Sequence, residues 1–268
     1  MSQIKAVREM HTKMKIKKRI DANRIVGAMG FREHFSSHPG RHSWEICGHP
    51  VYWWVMKVAI ETKYVEKIVV FTEDKKAQKI AREMSDKFVI FNRTMEECKE
   101  PLWRFVDDLK SNKSRINILG DWVYRPEVEE LLGFEPTLFI YFQANQPLVR
   151  ASTVTRQIEK YFEDDIAEAV YAAVKDYYPA SFYIRDPAFP EYLIRCGFIS
   201  GSRQEEPTTY KPFGHPIMPY KTRIMSLTTR MAFVEVGRDE VSDIHDEEDL
   251  EWAEFKMEKR LKEENGGK

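Results

Sequence analysis

Residues 24–50, RIVGAMGFREHFSSHPGRHSWEICGHP, join a backbone suited to anions with two loop cations, Arg32 and Arg41. The apolar run Ile25-Val26-Gly27-Ala28-Met29 has the pattern of a buried strand, and Gly30 ends it. A polar loop follows with Arg32, Ser36, Ser37, Pro39, Gly40 and Arg41. Gly48 and Pro50 close it, and Val51-Tyr52-Trp53-Trp54-Val55 opens the next element. Strand, basic loop and helix in that order set N–H groups and positive charge near a helix N-terminus, where anions are stabilised. An ordinary strand-to-helix connection accounts for the same residues, since the loop has neither a Walker pattern nor GxGxxG.

Two further constellations lie downstream. Leu138-Phe139-Ile140-Tyr141-Phe142 is an uncharged central strand, and it runs into Gln143-Ala144-Asn145-Gln146-Pro147-Leu148-Val149-Arg150. Open α/β sheets place ligands at such strand ends. Grouped amides there suit a sugar or a base edge through several neutral hydrogen bonds, and an Asn/Pro turn is the other reading. Near the C-terminus comes Asp243-Ile244-His245-Asp246-Glu247-Glu248-Asp249-Leu250. Residues two apart on a strand project alike, which pairs Asp243 with His245, while Asp246 suits the cap of a charged helix over 246–262.

The elements that hold these residues are read from periodicity. Residues 1–23 are rich in Lys and Arg with apolar Ile4, Val7, Met10 and Met14 at loose helical spacing, a surface helix or frayed extension. Helices are expected over 50–64, 75–84, 102–109, 127–132 and 152–162, the last capped by Ser152 or Thr153. Apolar runs at 67–71 and 88–91 read as buried parallel strands, with later strands at 168–174 and 230–236. Thr72 or Asp74 caps the helix after the second strand. Residues 176–230, with seven prolines and many aromatics, do not follow a parallel-sheet pattern.

Composition narrows the class. The 268 residues are 43% hydrophobic and 32% charged, with a net charge of −1, so neither a general nucleic-acid surface nor a membrane surface is indicated. Cys47, Cys98 and Cys196 are scattered, without a CxxC pair, and indicate neither a disulfide framework nor zinc. No apolar run approaches membrane-spanning length and the basic N-terminus has no secretory core, so the expected compartment is the cytoplasm.

These stretches together resemble the acylneuraminate cytidylyltransferase family, the CMP-sialic acid and CMP-ketodeoxyoctonate synthetases. The family loop runs A-R-G-G-S-K-R-I-P-x-K-N and then G-K-P-L. Arg32 stands at its arginine, Pro39 at its proline, Arg41 at its lysine, and Gly48-His49-Pro50-Val51 at G-K-P-L. Glu33-His34-Phe35-Ser36 replaces G-G-S-K and His42 replaces the asparagine. Thr72-Glu73-Asp74 resembles S-T-D-D, Asn92-Arg93 falls where the family carries R-P, and the Gln143 segment resembles L-Q-P-T-S-P-L-R. Arg203-Gln204-Glu205-Glu206-Pro207 is similar to R-Q-x-x-P, and Asp243-Ile244-His245 to the metal-holding D-I-D.

The resemblance implies an α/β fold, a Rossmann-like mostly parallel sheet with helices on both faces. It implies a nucleotidyltransferase core over 24–175 and 230–262, a dimerisation arm over 176–229, and a basic extension over 1–23. The activity implied is transfer of CMP from CTP to a hydroxyl of a sialic-acid-like 2-keto-3-deoxy acid, with release of pyrophosphate. Ala28, Gly30, Arg32, Ser36, Arg41 and Arg93 are the expected nucleotide contacts; Arg93 as an exposed loop arginine is the other reading. Gln143, Asn145, Arg203 and Gln204 are the expected acceptor contacts, with arm structure the alternative for the last two. Asp243 and Asp246 are expected to hold Mg2+, or Mn2+ given the imidazole at His245. Arg32, Arg41, Asp243 and His245 form the expected catalytic set. A same-fold enzyme with another nucleotide or acceptor, and a non-catalytic nucleotide-binding relative, are the alternatives.

Overall fold

A seven-stranded sheet organises the chain, seen in a computed structural model that describes residues 13–33, 39–99, 103–106, 114–117, 126–176, 182–185, 193–196, 209–220 and 230–266. The elements in order are α1 (residues 13–21), β1 (Ile25–Gly30), β2 (Glu45–Ile46), β3 (His49–Pro50), α2 (Val51–Glu61), β4 (Lys67–Thr72) and α3 (Lys75–Met84). There follow β5 (Phe88–Asn92), α4 (Met95–Lys99), β6 (Trp103–Val106), β7 (Ser114–Asn117), α5 (Pro126–Leu132), β8 (Leu138–Tyr141) and α6 (Ala151–Glu163). The chain continues through β9 (Ala169–Asp176), β10 (Phe182–Arg185), β11 (Leu193–Cys196), β12 (Thr209–Pro219), β13 (Met231–Val236) and α7 (Glu247–Gly266). The sheet order is β13-β9-β12-β8-β1-β4-β5. Only β12 runs against its neighbours β8 and β9; the other pairings are parallel.

Apolar runs become central strands because both faces of the sheet are covered. Every residue of β1 is buried. On one face Met29, Ile68 and Ile140 pack with Tyr52, Val55 and Ala59 of α2, Ala77 and Ala81 of α3, and Val154 and Ile158 of α6. On the other, Val26, Ala28, Val69, Phe71 and Phe139 meet Val128 and Leu132 of α5. A third cluster joins Ile46, Val51 and Trp54 to Leu148, Ile244, Ala253 and Met257, so α7 is fastened beside the β2–β3 hairpin. Each fully buried Val, Leu, Ile or Phe contributes about 1.5–3 kcal/mol. The fold class is the expected one: α/β, mostly parallel, with helices on both faces.

Several local expectations are corrected. Residues 103–106 form an extended strand paired with β7, not part of a helix over 102–109; the alternation Trp-Arg-Phe-Val in β6 suits a strand. The helix before β1 buries Ile16 and Ile20, one turn apart, and leaves Met14 63% exposed. Residues 209–219, included above in the arm, instead form β12 inside the sheet. Of its prolines, Pro216 falls where the register shifts between Phe213 and Ile217, beside Gly214 at φ 84°, Pro212 precedes the stretch paired with β8, and Pro219 ends the strand. A Cβ at that glycine would come within 3.2 Å of the Ala172 Cβ.

Candidate active site

The parallel strands end together, and the candidate residues follow those ends. Gly30 closes β1 opposite Phe71 of β4. Beyond it, Glu33 fixes the loop: its carbonyl accepts from Gly40 N–H at 2.9 Å, its carboxylate accepts from the Ser43 hydroxyl at 2.9 Å, and its own N–H donates to Glu73 Oε1 at 2.8 Å. Gly40 takes φ 79°, turning the chain into a single 3-10 turn over Arg41–Ser43. Cys47 and Gly48, at φ 48° and 78°, make the tight turn between β2 and β3. Glu254 of α7 accepts the Cys47 N–H at 3.1 Å.

Three arginines from two connections, Arg32 and Arg41 after β1 and Arg93 after β5, are close enough to act on one another. Arg32 Nη1 donates to the Cys98 carbonyl at 2.6 Å. Burial lowers its pKa first, and the charges of Arg93 and Arg41 lower it further. Arg93 is 4% exposed and donates through Nη2 to the Glu97 carbonyl at 2.7 Å, which corrects the reading of an exposed loop arginine. Burial pushes the Tyr141 phenol up to about 12, with Arg93 and Arg41 acting against that rise. It likewise raises the Cys98 thiol to about 12, and Glu73 raises it further through a hydrogen bond. His42, whose ring is tilted 42° to that of Phe31 at 5.6 Å, is held down to about 4 by burial, then by Arg41. An anion at this end of the sheet meets a field that already disfavours more positive charge.

Arg41 also reaches the far end of the sequence. Its Nη1 lies 3.1 Å from His245 Nδ1. A guanidinium only donates, so Nδ1 accepts and the ring proton sits on Nε2. That Nε2 is 3.1 Å from Asp243 Oδ1, which also accepts from Asn145 Nδ2 at 2.6 Å. The Ile244 N–H donates to the Asn145 carbonyl at 3.0 Å and locks the two segments together. The basic loop, the β8 end and the segment before α7 therefore meet in one chain: Arg41, His245, Asp243, Asn145.

Other expected residues are placed differently. Ala28 lies in the core between Tyr141 and Val69. Gln143 turns inward: Nε2 donates to the Gly214 carbonyl at 2.6 Å, and Oε1 accepts from Gln146 at 3.3 Å. Gln146 Oε1 accepts the Gly214 N–H at 2.6 Å, so both amides serve the β12 bulge, whose backbone groups need partners. Asp246 caps α7, accepting the Asp249 N–H at 2.9 Å. Asp74 caps α3, as the capping reading expected. Ser36, Arg203 and Gln204 lie outside the described residues.

Sequence reasoning missed Glu33, Glu73, Glu240 and His215. Glu240 is 6% exposed and accepts the Arg150 N–H and the Thr153 hydroxyl, both at 2.9 Å. It thereby caps α6 from across the fold, a role expected of Ser152 or Thr153. His215 is fully buried, accepts the Gln143 N–H at 3.1 Å through Nδ1, and is held down to about 3 by burial. Glu73 had a signal, its place at a strand end; the other three had none.

The metal expectation can be tested on the donor set. Asp243 offers one carboxylate, with Oδ1 already engaged and Oδ2 making no hydrogen bond among the described residues. The described residues contain no group of three or more His, Cys, Asp or Glu side chains able to hold a metal. A lone carboxylate fits Mg2+ shared with phosphate oxygens and water, not an all-protein cage.

This arrangement stands on a nucleotidyltransferase-like α/β fold. The chain is similar to the structure of CMP:2-keto-3-deoxy-manno-octonic acid synthetase complexed with CTP, at TM-score 0.57 and 15% identity over 88% of this chain and 99% of that one. It is also similar to 4-diphosphocytidyl-2C-methyl-D-erythritol synthase from Anaerococcus prevotii, at TM-score 0.56 and 13% identity over 90% and 99%. A further structure of a 4-diphosphocytidyl-2C-methyl-D-erythritol synthase gives TM-score 0.57 and 10% identity over 88% and 99%. No protein-family model and no curated protein matches the sequence.

Proposed function

We propose that the chain is a CTP-dependent cytidylyltransferase that moves CMP to a hydroxyl of an acidic sugar, a 2-keto-3-deoxy acid of the sialic-acid type. The observation that carries this is the convergence of Arg32, Arg41 and Arg93 with the Arg41–His245–Asp243–Asn145 chain at the C-terminal ends of the sheet. The fold shared with structures named for cytidylyl chemistry supports it.

In this reading Arg32 and Arg41 neutralise the β- and γ-phosphates, and Arg93 stands toward the cytosine. Asn145 and His245 hold the Asp243 carboxylate in place. Asp243 would hold Mg2+, which would supply charge neutralisation at the α-phosphate. The acceptor oxygen forms a bond to the α-phosphorus as the bond to the β-phosphate oxygen breaks. Pyrophosphate leaves with that electron pair, and the hydroxyl proton passes to water. Such catalysis is chiefly positioning and charge stabilisation. The part of the expected arm that precedes β12, residues 176–208, joins two copies into a homodimer.

A thermal-shift panel of the four nucleoside triphosphates with Mg2+ tests the reading. Selective stabilisation by CTP supports it. Selective stabilisation by another triphosphate moves the activity to that nucleotide, and stabilisation by none refutes the enzyme.

A further inference from the structure

Next to Asp243 a cleft of about 1000 Å³ opens between α7 and the ends of β9 and β12. Asp243 and His245 stand on its wall, so its occupant lies against the residues assigned to the α-phosphate. Seven cationic side chains line it against four carboxylates. The carboxylates have partners inside the protein. Asp239 pairs with Arg150 at 3.1 Å, Asp243 accepts from Asn145, Asp249 accepts the His245 N–H at 2.8 Å, and Glu263 faces Lys259 at 4.0 Å.

Part of the positive charge is structural. Lys256 donates to the carbonyls of Arg238 and Val241, and Arg260 to those of Leu148 and Asp239. Lys211 differs: it sits on β12 opposite Val174, is exposed, and its side chain makes no hydrogen bond or ion pair among the described residues. The lining also has an aromatic part. Trp252 and Phe255 of α7 stack at 5.8 Å and 17°, yet are 56% and 59% exposed. Lys256 Nζ lies 4.7 Å over the Trp252 ring, a further cation near that face.

A cation, a flat aromatic face and the Asp243 carboxylate around one cleft define a ligand with three matching parts: an anionic group, a ring with a C–H face, and a hydroxyl. We propose that this cleft holds the acceptor, with Lys211 binding its anionic group and Trp252 packing against its ring, so that the hydroxyl is turned toward Asp243. This rests on the cytidylyl-transfer reading and makes Lys211 and Trp252 its specificity determinants. The triphosphate belongs to the arginine cluster, not to this cleft.

The test uses the intact chain with ketodeoxyoctonate and N-acetylneuraminate as carboxylate probes and glucose 1-phosphate as a phosphate probe. Binding is read without nucleotide from tryptophan fluorescence, and turnover from pyrophosphate release with CTP. A probe that binds should quench the parent and lose its quenching in Trp252→Phe. Lys211→Ala should raise that probe's Kd and KM about ten- to a hundredfold, as expected for one hydrogen bond to a charged group, and Lys211→Arg should restore most of it. The Kd for CTP should not move. Which probe responds tells carboxylate from phosphate. No binding by any probe, or acceptor constants unchanged in Lys211→Ala and Trp252→Phe, overturns the assignment. Weakened CTP binding in Lys211→Ala also overturns it, by placing the triphosphate in the cleft. Failure of CTP turnover with probe binding intact strikes the activity and leaves the cleft assignment standing.

Discussion

Replacing Glu240 by alanine removes a carboxylate that serves the start of α6 without belonging to it. Its two oxygens accept the Arg150 N–H and the Thr153 hydroxyl, each at 2.9 Å, in a site where Glu240 is 6% exposed. The Arg150 N–H loses its acceptor, at about 1–3 kcal/mol. The charge at the helix N-terminus contributes about 0.3–2 kcal/mol more. Thr153 is the cheaper loss, since its hydroxyl can rotate and already accepts from Arg156 at 3.2 Å. The total is about 2–4 kcal/mol, which for a domain of this size lowers Tm by roughly 5–12 °C. Glu240→Gln retains one acceptor and should fall about half as far. Thermal melts of the three proteins at neutral pH measure this. An alanine variant melting within about 1 °C of the parent refutes the claim that a distant carboxylate caps α6. Because Asp243 follows three residues later, Glu240→Ala should also lower activity more than Glu240→Gln.

Other outcomes follow from the same structure. Arg41→Ala should weaken CTP binding by an order of magnitude or more while leaving the unliganded Tm unchanged, read by calorimetric titration; unaltered affinity removes Arg41 from the phosphate site. Asp243→Asn should abolish turnover, whereas His245→Asp should keep or improve Mg2+-dependent turnover by restoring two oxygen ligands; loss of turnover with CTP still bound in His245→Asp gives the imidazole a role of its own. His42 and His215 have folded pKa values of about 4 and 3, below the usual 6.5, so the unfolded chain takes up their protons first. Their contribution is full above about pH 6.5 and is lost as pH falls toward 3; Tm should drop over that window, and a flat profile contradicts their burial as neutral rings. Light scattering at micromolar concentration should give twice the chain mass, and a monomer rules out the arm-mediated dimer.

The parts of the fold that announced themselves were those where local chemistry and final environment agree. Ile25 to Met29, Lys67 to Phe71 and Leu138 to Phe142 are apolar runs because both faces of the sheet are covered. Asp246 and Asp74 are caps by type and position. The strand β12 could not be read that way. Pro212, Pro216 and Pro219 argue against a strand between two others; Pro212 precedes the stretch paired with β8, Pro216 falls in the register shift beside Gly214, and Pro219 ends the strand. The shift works because Gln143, Gln146 and Gln157 supply side-chain partners for the bulged backbone. None of these amides is near β12 in sequence. At the site, Arg32, Arg41 and Asp243 were visible as charges in the right order, but their connection was not. The contacts through His245 and Asn145 span 204 and 98 residues, and no local pattern encodes a pairing at that range.

That separation also sets a schedule. Chains fold N-terminal part first as they are synthesised. Arg41 emerges 204 residues ahead of the imidazole it contacts, and Cys47 emerges 207 residues ahead of Glu254. While those intervening residues are made, the basic loop therefore has no partner from the segment that finally holds it. Until α7 arrives it is a surface bearing exposed cations, open to any polyanion nearby, including the ribosomal RNA from which it has just emerged. The helix that lines the cleft is thus also a clasp on the basic loop, whose contacts to His245 and Glu254 form only once this distant segment docks.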